Sequence, residues 1–226
     1  MKSHQMLPWL AAATMIAALS GCSGTAAPEP TAKTKPTTDQ SESPADEQAD
    51  DALTSDETDL LAKITTGAPP KDLLWSFPDE LPNGWKPLPI TDEKGVVQMQ
   101  VSAKCIIDFR QPAGMGTEKE PTSATIANDV AAEMGEKAAR VTLSIEPSKP
   151  VKLDADINAG AMTAALDFAN VHFTAPEDPS IEGVAYAHRD GDFALLAVGM
   201  CGGGEFAEQG DGMQRFIESS RADVTY

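Results

Sequence analysis

From Val97 to Phe109 every second residue is apolar. Val97, Met99, Val101, Ala103, Cys105, Ile107 and Phe109 alternate with Gln98, Gln100, Ser102, Lys104, Ile106 and Asp108. Successive side chains on a strand point to opposite faces, so this run predicts β structure with one buried face. It fits one bent strand, or two strands broken near Ser102–Lys104. Either way the rest of the fold has to cover that face.

The residues that follow supply the cover. Ile126, Val130 and Met134 recur every four positions, with Ala127, Ala131 and Ala138 beside them. That spacing predicts a helix over Ala124–Arg140, with Ser123 as N-cap and Lys137 and Arg140 near the negative end of its dipole. Val141, Leu143 and Ile145 alternate as a strand stopped by Pro147 and Pro150. A further strand is expected at about Ala161–Thr174. The apolar runs Gly183–His188 and Phe193–Met200 flank Arg189-Asp190-Gly191-Asp192. An Asp-Gly pair between apolar runs is a hairpin signal. A last helix is expected over about Asp211–Arg221, with Met213, Phe216, Ile217 and Ser220 on one side. Before all of these, Trp75, Phe77 and Trp85 with their intervening prolines form an extended entry segment that turns at Pro82-Asn83-Gly84. The expected class is α+β: a mostly antiparallel sheet with two helices packed on it.

The N-terminus carries an address. Lys2 precedes an apolar run from Leu7 to Leu19, interrupted only by Pro8 and Thr14. A spanning helix needs about 20 apolar residues, and this run is shorter, so it reads as a secretory signal. It ends in Leu19-Ser20-Gly21-Cys22. These four residues resemble the lipobox of bacterial lipoproteins: an aliphatic residue, two small residues, then cysteine. The resemblance implies removal of residues 1–21 and a diacylglyceryl group on the sulfur of Cys22. The expected location is therefore the cell membrane, lipid-anchored on its extracytoplasmic side.

Residues 23–66 contain no aromatic residue and hold ten acids against three lysines. A segment so poor in apolar surface cannot offset its ordering entropy. Residues 22–71 are therefore expected to form an acidic disordered tether. One short, marginal helix is expected at Asp56–Ile64, where Leu60, Leu61 and Ile64 make a small apolar face. Residues 72–226 are expected to form a single globular domain. The net charge of −18 makes an unfavourable field for phosphate backbones, so no nucleic-acid partner is expected.

With Cys22 taken by the lipid, Cys105 and Cys201 remain, both on expected strands. An even count outside the cytoplasm favours a disulfide between them. No other grouping reads as chemistry. Asp154-Ala155-Asp156-Ile157-Asn158-Ala159-Gly160 begins like a calcium loop, but Ala159 and Ala165 stand where the glycine and the closing glutamate belong. A polar turn is expected instead. Gly202-Gly203-Gly204 has no Lys-Ser/Thr after it and is followed by Glu205, so it reads as a passage from strand to helix, not a phosphate cradle. His172 and His188 would need a third ligand, such as Asp190 or Asp192, to hold a metal. No catalytic set, metal site or cofactor is expected.

In element order, in Gly84-Trp85 and in the pair Cys105 and Cys201, residues Trp85–Tyr226 are similar to the PsbP-like sandwich of some small envelope lipoproteins. That resemblance implies an accessory domain without catalysis. The expected function is a binding module for an envelope protein or a small ligand. A carrier of a lipid or other apolar ligand is the second expectation. An extracytoplasmic hydrolase or metalloenzyme built on His172 or His188 is the third.

Overall fold

Pairing between sequence neighbours builds most of the sheet. The computed structural model describes residues 54–89, 95–116 and 118–226. In chain order, helix α1 (Ser55–Thr66) precedes strands β1 (Asp72–Ser76), β2 (Lys86–Leu88), β3 (Val96–Gln100) and β4 (Cys105–Arg110). Helix α2 (Ser123–Met134) follows, then β5 (Ser144–Pro147), β6 (Val151–Ile157), β7 (Met162–Ala175), β8 (Asp178–Asp190) and β9 (Phe193–Cys201). Helix α3 (Phe206–Ser219) and strand β10 (Arg221–Thr225) end the described chain. The strand order is β1-β10-β6-β7-β8-β9-β4-β3-β2, with β5 set on β7. Among the described strands only the β10–β6 pairing is parallel. The fold is α+β with a curled, mostly antiparallel sheet.

The Val97–Phe109 alternation is two strands. The chain reverses at Ser102–Lys104, and Met99 pairs with Ile107. The amides of Val101 and Ser102 both donate to the carbonyl of Cys105 to close the turn. The Asp190-Gly191 signal is also a hairpin, with Asp190 paired to Phe193.

The sheet has a helix on each face. One core joins Ile107, Phe109, Leu153, Phe168, Tyr186 and Leu195 to Met213, Phe216 and Ile217 of α3. The other joins Phe173, Ala185, Ala187 and Val198 to Ile126, Val130 and Met134 of α2. The sheet curls far enough that β1 returns to β4 and β9. The buried Trp75 indole N–H donates to the carbonyls of Arg110 and Leu196, each at 3.1 Å.

Several boundaries differ from expectation. Thr122, not Ser123, caps α2: its hydroxyl accepts from the Thr125 amide at 3.2 Å. The Ser123 hydroxyl instead accepts from the Arg189 amide at 3.0 Å. The regular helix ends at Met134 and continues as a wider π turn over Gly135–Ala139. Leu143 packs there so closely that a Cβ on Gly135 would lie 2.5 Å from it. The expected turn at Asp154 is the strand β6, and the turn itself is Asn158–Gly160, where φ is positive at all three residues. Strands β1 and β10 lay in segments read as an entry and a helix end. Helix α3 starts five residues before the expected Asp211 and stops at Ser219.

The segment 54–71, assigned above to the tether, carries a helix capped at both ends. Thr54 and Glu57 exchange backbone–side-chain hydrogen bonds in a capping box, and Gly67 closes α1 at φ 67°. Leu60 is buried in the α3-side core, so this helix gains packing that its own short apolar face did not foretell. The rest of the expected tether and the signal lie outside the described residues.

Candidate functional site

Between β1 and β2 the chain crosses the end of α3 as Pro78–Trp85. The turn at Pro82-Asn83-Gly84 closes with the Trp85 amide donating to the Pro82 carbonyl at 3.1 Å, and Gly84 has φ 87°. This turn lays the half-buried Trp85 ring over Phe216, with 5.1 Å between ring centres. Phe216 meets Phe109, which meets Phe77 and Trp75. An aromatic column thus runs from the surface into the core and fixes the position of Trp85.

A groove of about 520 Å³ opens between this segment and α3. Pro78, Pro82, Trp85 and Phe216 form its apolar part, and Glu80, Glu208 and Arg215 its charged rim. Gly212 faces it: a Cβ there would lie 3.9 Å from the Trp85 ring and meet nothing nearer. Glu80, Glu208 and Arg215 are exposed and make no ion pair among the described residues. The exposed Asp79 and Asp211 add negative charge beside them. A half-exposed indole on a rigid aromatic support, prolines alongside and free charge around the rim suit an extended peptide. Sequence reasoning singled out Trp85 and its prolines but not their contact with α3, because only tertiary packing brings the two segments together.

Three other depressions are described, and none has an aromatic wall. The first, of about 440 Å³, lies beside Arg189. Its guanidinium is engaged with the carbonyls of Pro121, Met115, Gly116 and Gly191. Asp192 accepts from the amides of Gly114 and Gly116. These residues of the expected hairpin turn therefore hold the loop that leads into α2. The second, of about 470 Å³, lies beside Arg110, which donates to buried Asp108 at 2.7 Å and to Glu133 of α2 at 3.1 Å. Lys137 and then Arg110 hold the Glu133 carboxyl below the usual range. That network ties α2 to the sheet. The third, of about 620 Å³, flanks the π turn near Arg140 and Glu177.

The histidines do not converge. His172 contacts Glu182 at 2.8 Å and sits against Phe206. The His188 ring lies on Phe168 and donates from Nδ1 to the Asp167 carbonyl at 2.9 Å. Phe168 and His172 are four residues apart on β7, so the two imidazoles are separated by roughly 13 Å along the strands. Burial depresses the basicity of His188, and burial raises the Asp190 carboxyl beside it. Among the described residues no group of three or more His, Cys, Asp or Glu could hold a metal. Arg221 of β10 sits at Asp156 (3.0 Å) and Asp154 (3.8 Å), so a side-chain cation already faces that acidic run. The Asn158 side chain accepts from the Tyr226 amide.

Cys105 and Cys201 face each other on β4 and β9 and are joined by a disulfide. Both are fully buried. The three glycines follow directly, with φ 63° at Gly203 and 76° at Gly204, and lead into α3 as expected. Glu205 accepts from the Ser102 hydroxyl across this turn. Cys22 lies outside the described residues. No described helix is long and apolar enough to cross a membrane.

No family model and no curated protein matches the chain. Among solved structures it is similar to the solution structure of cyanobacterial PsbP (CyanoP) from Synechocystis sp. PCC 6803, at 12% identity and a TM-score of 0.42, over 66% of this chain and 91% of that one.

Proposed function

We propose that this chain is a noncatalytic lipoprotein of the cell envelope whose folded part binds an extended segment of a partner protein in the Trp85 groove. The groove carries the reading: it combines an apolar floor held from the core with charged groups that make no ion pair among the described residues. Two acids, Glu80 and Glu208, line the groove against one cation, Arg215, which favours a cationic segment. A carrier of apolar ligands would need an enclosed cavity, whereas side chains of α2 and α3 fill the two helix–sheet interfaces. The Leu19-Ser20-Gly21-Cys22 box supports the lipid anchor, and the buried disulfide suits an oxidising compartment.

Two variants test this reading. Cys22→Ser should move the protein from membrane to soluble fractions, and persistence in the membrane would refute the anchor. For the groove, a photoreactive residue at Gln209 should crosslink one partner in intact envelopes. Gly212→Trp, which fills the groove, should abolish that adduct, while Gly212→Ala should retain it. An adduct equally strong in Gly212→Trp would refute the groove as the binding surface.

A further inference from the structure

We infer that the Trp85 groove selects a partner segment in the left-handed polyproline form that carries a basic residue, two prolines and an acidic residue in a row. This rests on the reading of the groove as a peptide site and gives its cationic segment a defined order.

The spacing of charge along α3 carries the inference. Glu208, Gly212 and Arg215 stand at i, i+4 and i+7, so they share one face of the helix. All three line the groove. Seven residues of helix rise ~10.5 Å, so this wall has an anionic end and a cationic end with a bare gap between them. Glu80 adds a second acid from the opposite wall. Neither end is neutralised within the helix. Asp211 and Glu218 stand four residues before and three after Arg215, at pairing distance, yet neither forms an ion pair with it among the described residues.

The gap suits prolines. Gly212 has no side chain, and a Cβ there would lie 3.9 Å from Cζ2 of Trp85, on the ring edge beside the indole N–H. The Trp75 indole N–H donates to two carbonyls, whereas that of Trp85 has no acceptor among the described residues. Prolines of a polyproline segment pack on a flat aromatic face while its carbonyls stay free to accept from such an N–H. Its backbone repeats every three residues at ~3.1 Å each, which brings residues i and i+3 to one side about 9.3 Å apart. That repeat matches the ~10.5 Å between Glu208 and Arg215. A flat strand misses it, because its same-face residues lie ~6.7 or ~13 Å apart.

The experiment titrates acetylated, amidated peptides into the isotope-labelled full chain carrying Cys22→Ser, with the Cys105–Cys201 disulfide intact. The readout is the Trp85 indole N–H resonance, identified by its loss in Trp85→Phe. Ala-Arg-Pro-Pro-Glu-Ala is compared with Ala-Arg-Glu-Pro-Pro-Ala, which has the same composition and net charge but adjacent charges. The first should bind about two- to fivefold more tightly at low salt, as one additional exposed ion pair allows. That preference should vanish in high salt and in Arg215→Gln. Equal affinities at low salt, a preference that survives Arg215→Gln, or a Trp85 resonance unmoved by several millimolar of either peptide would overturn the inference. Failure here is separable from failure of the groove reading. If the partner adduct at Gln209 is lost in Gly212→Trp while the two peptides bind alike, the groove holds a partner but does not read this order.

Discussion

His188 is a half-buried base with one ring nitrogen satisfied. Its Nδ1–H donates to the Asp167 carbonyl, while Nε2 is buried and has no partner among the described residues. Burial lowers its pKa, so between that lowered value and the ordinary value near 6.5 the unfolded chain binds the proton and the folded one does not. Stability from this group is complete above the ordinary value and falls as pH drops below it. The raised carboxyl of Asp190 acts in the opposite sense, because there the folded state holds the proton more tightly just above the ordinary carboxylate range. His188→Phe, which keeps the ring stack on Phe168, should therefore flatten the loss of melting temperature between about pH 6.5 and pH 5. Thermal melts followed by circular dichroism across that range check it. Arg189 is a second residue with a defined task. Its guanidinium serves four carbonyls, three of them on the loop before α2, so Arg189→Ala should cost about 2–3 kcal/mol and leave that loop open to proteolysis. Denaturant titration and limited proteolysis measure the two effects separately.

At the scale of elements, the disulfide joins neighbouring strands whose contact closes a loop across 96 residues of sequence. The chain-entropy model gives about 4–5 kcal/mol for a loop of that size. The double variant Cys105→Ser, Cys201→Ser should lose most of that in urea unfolding. Gly183 on β8 is a stricter position: a Cβ would lie 2.3 Å from both the Gly199 carbonyl and the Phe173 ring. Gly183→Ala should cost about 1–3 kcal/mol by overpacking, with the fold retained. Which elements the sequence foretold follows from what holds them. The Val97–Phe109 run and the Asp190-Gly191 hairpin were legible because alternation and turn chemistry are local. Strand β6 was not, because Asp154 and Asp156 read as a polar turn until Arg221 of a distant strand is seen beside them. The first turns of α3 were hidden by Gly210 and Gly212, which weaken helical propensity but fit against Phe206 and face the groove. Strands β1 and β10 are five residues each, too short for a period to show.

The whole molecule is governed by like charge. The −18 divides into −7 over residues 23–66 and −12 over residues 67–226, offset by Lys2. Self-repulsion of the folded part should be relieved by screening, so the melting temperature should rise as sodium chloride increases from about 10 mM to 500 mM. A flat or falling trend in calorimetry would mean that local ion pairs outweigh the global field. The candidate groove is a whole-molecule feature too: Pro78–Trp85 and α3 are more than a hundred residues apart, and no local pattern joins them. The two end strands of the sheet carry a further implication. On β1 the Leu73 amide donates to its neighbour Asp72 and the Trp75 amide to Gln111, and β2 has Pro87 at its centre. Neither border offers a clean row of donors to a second copy. If Cys22 carries the proposed anchor, the molecules share one plane and meet far more often than molecules in bulk. A population packed side by side on a surface would collide through borders that do not template fibrils, and would stay a fluid layer of separate domains.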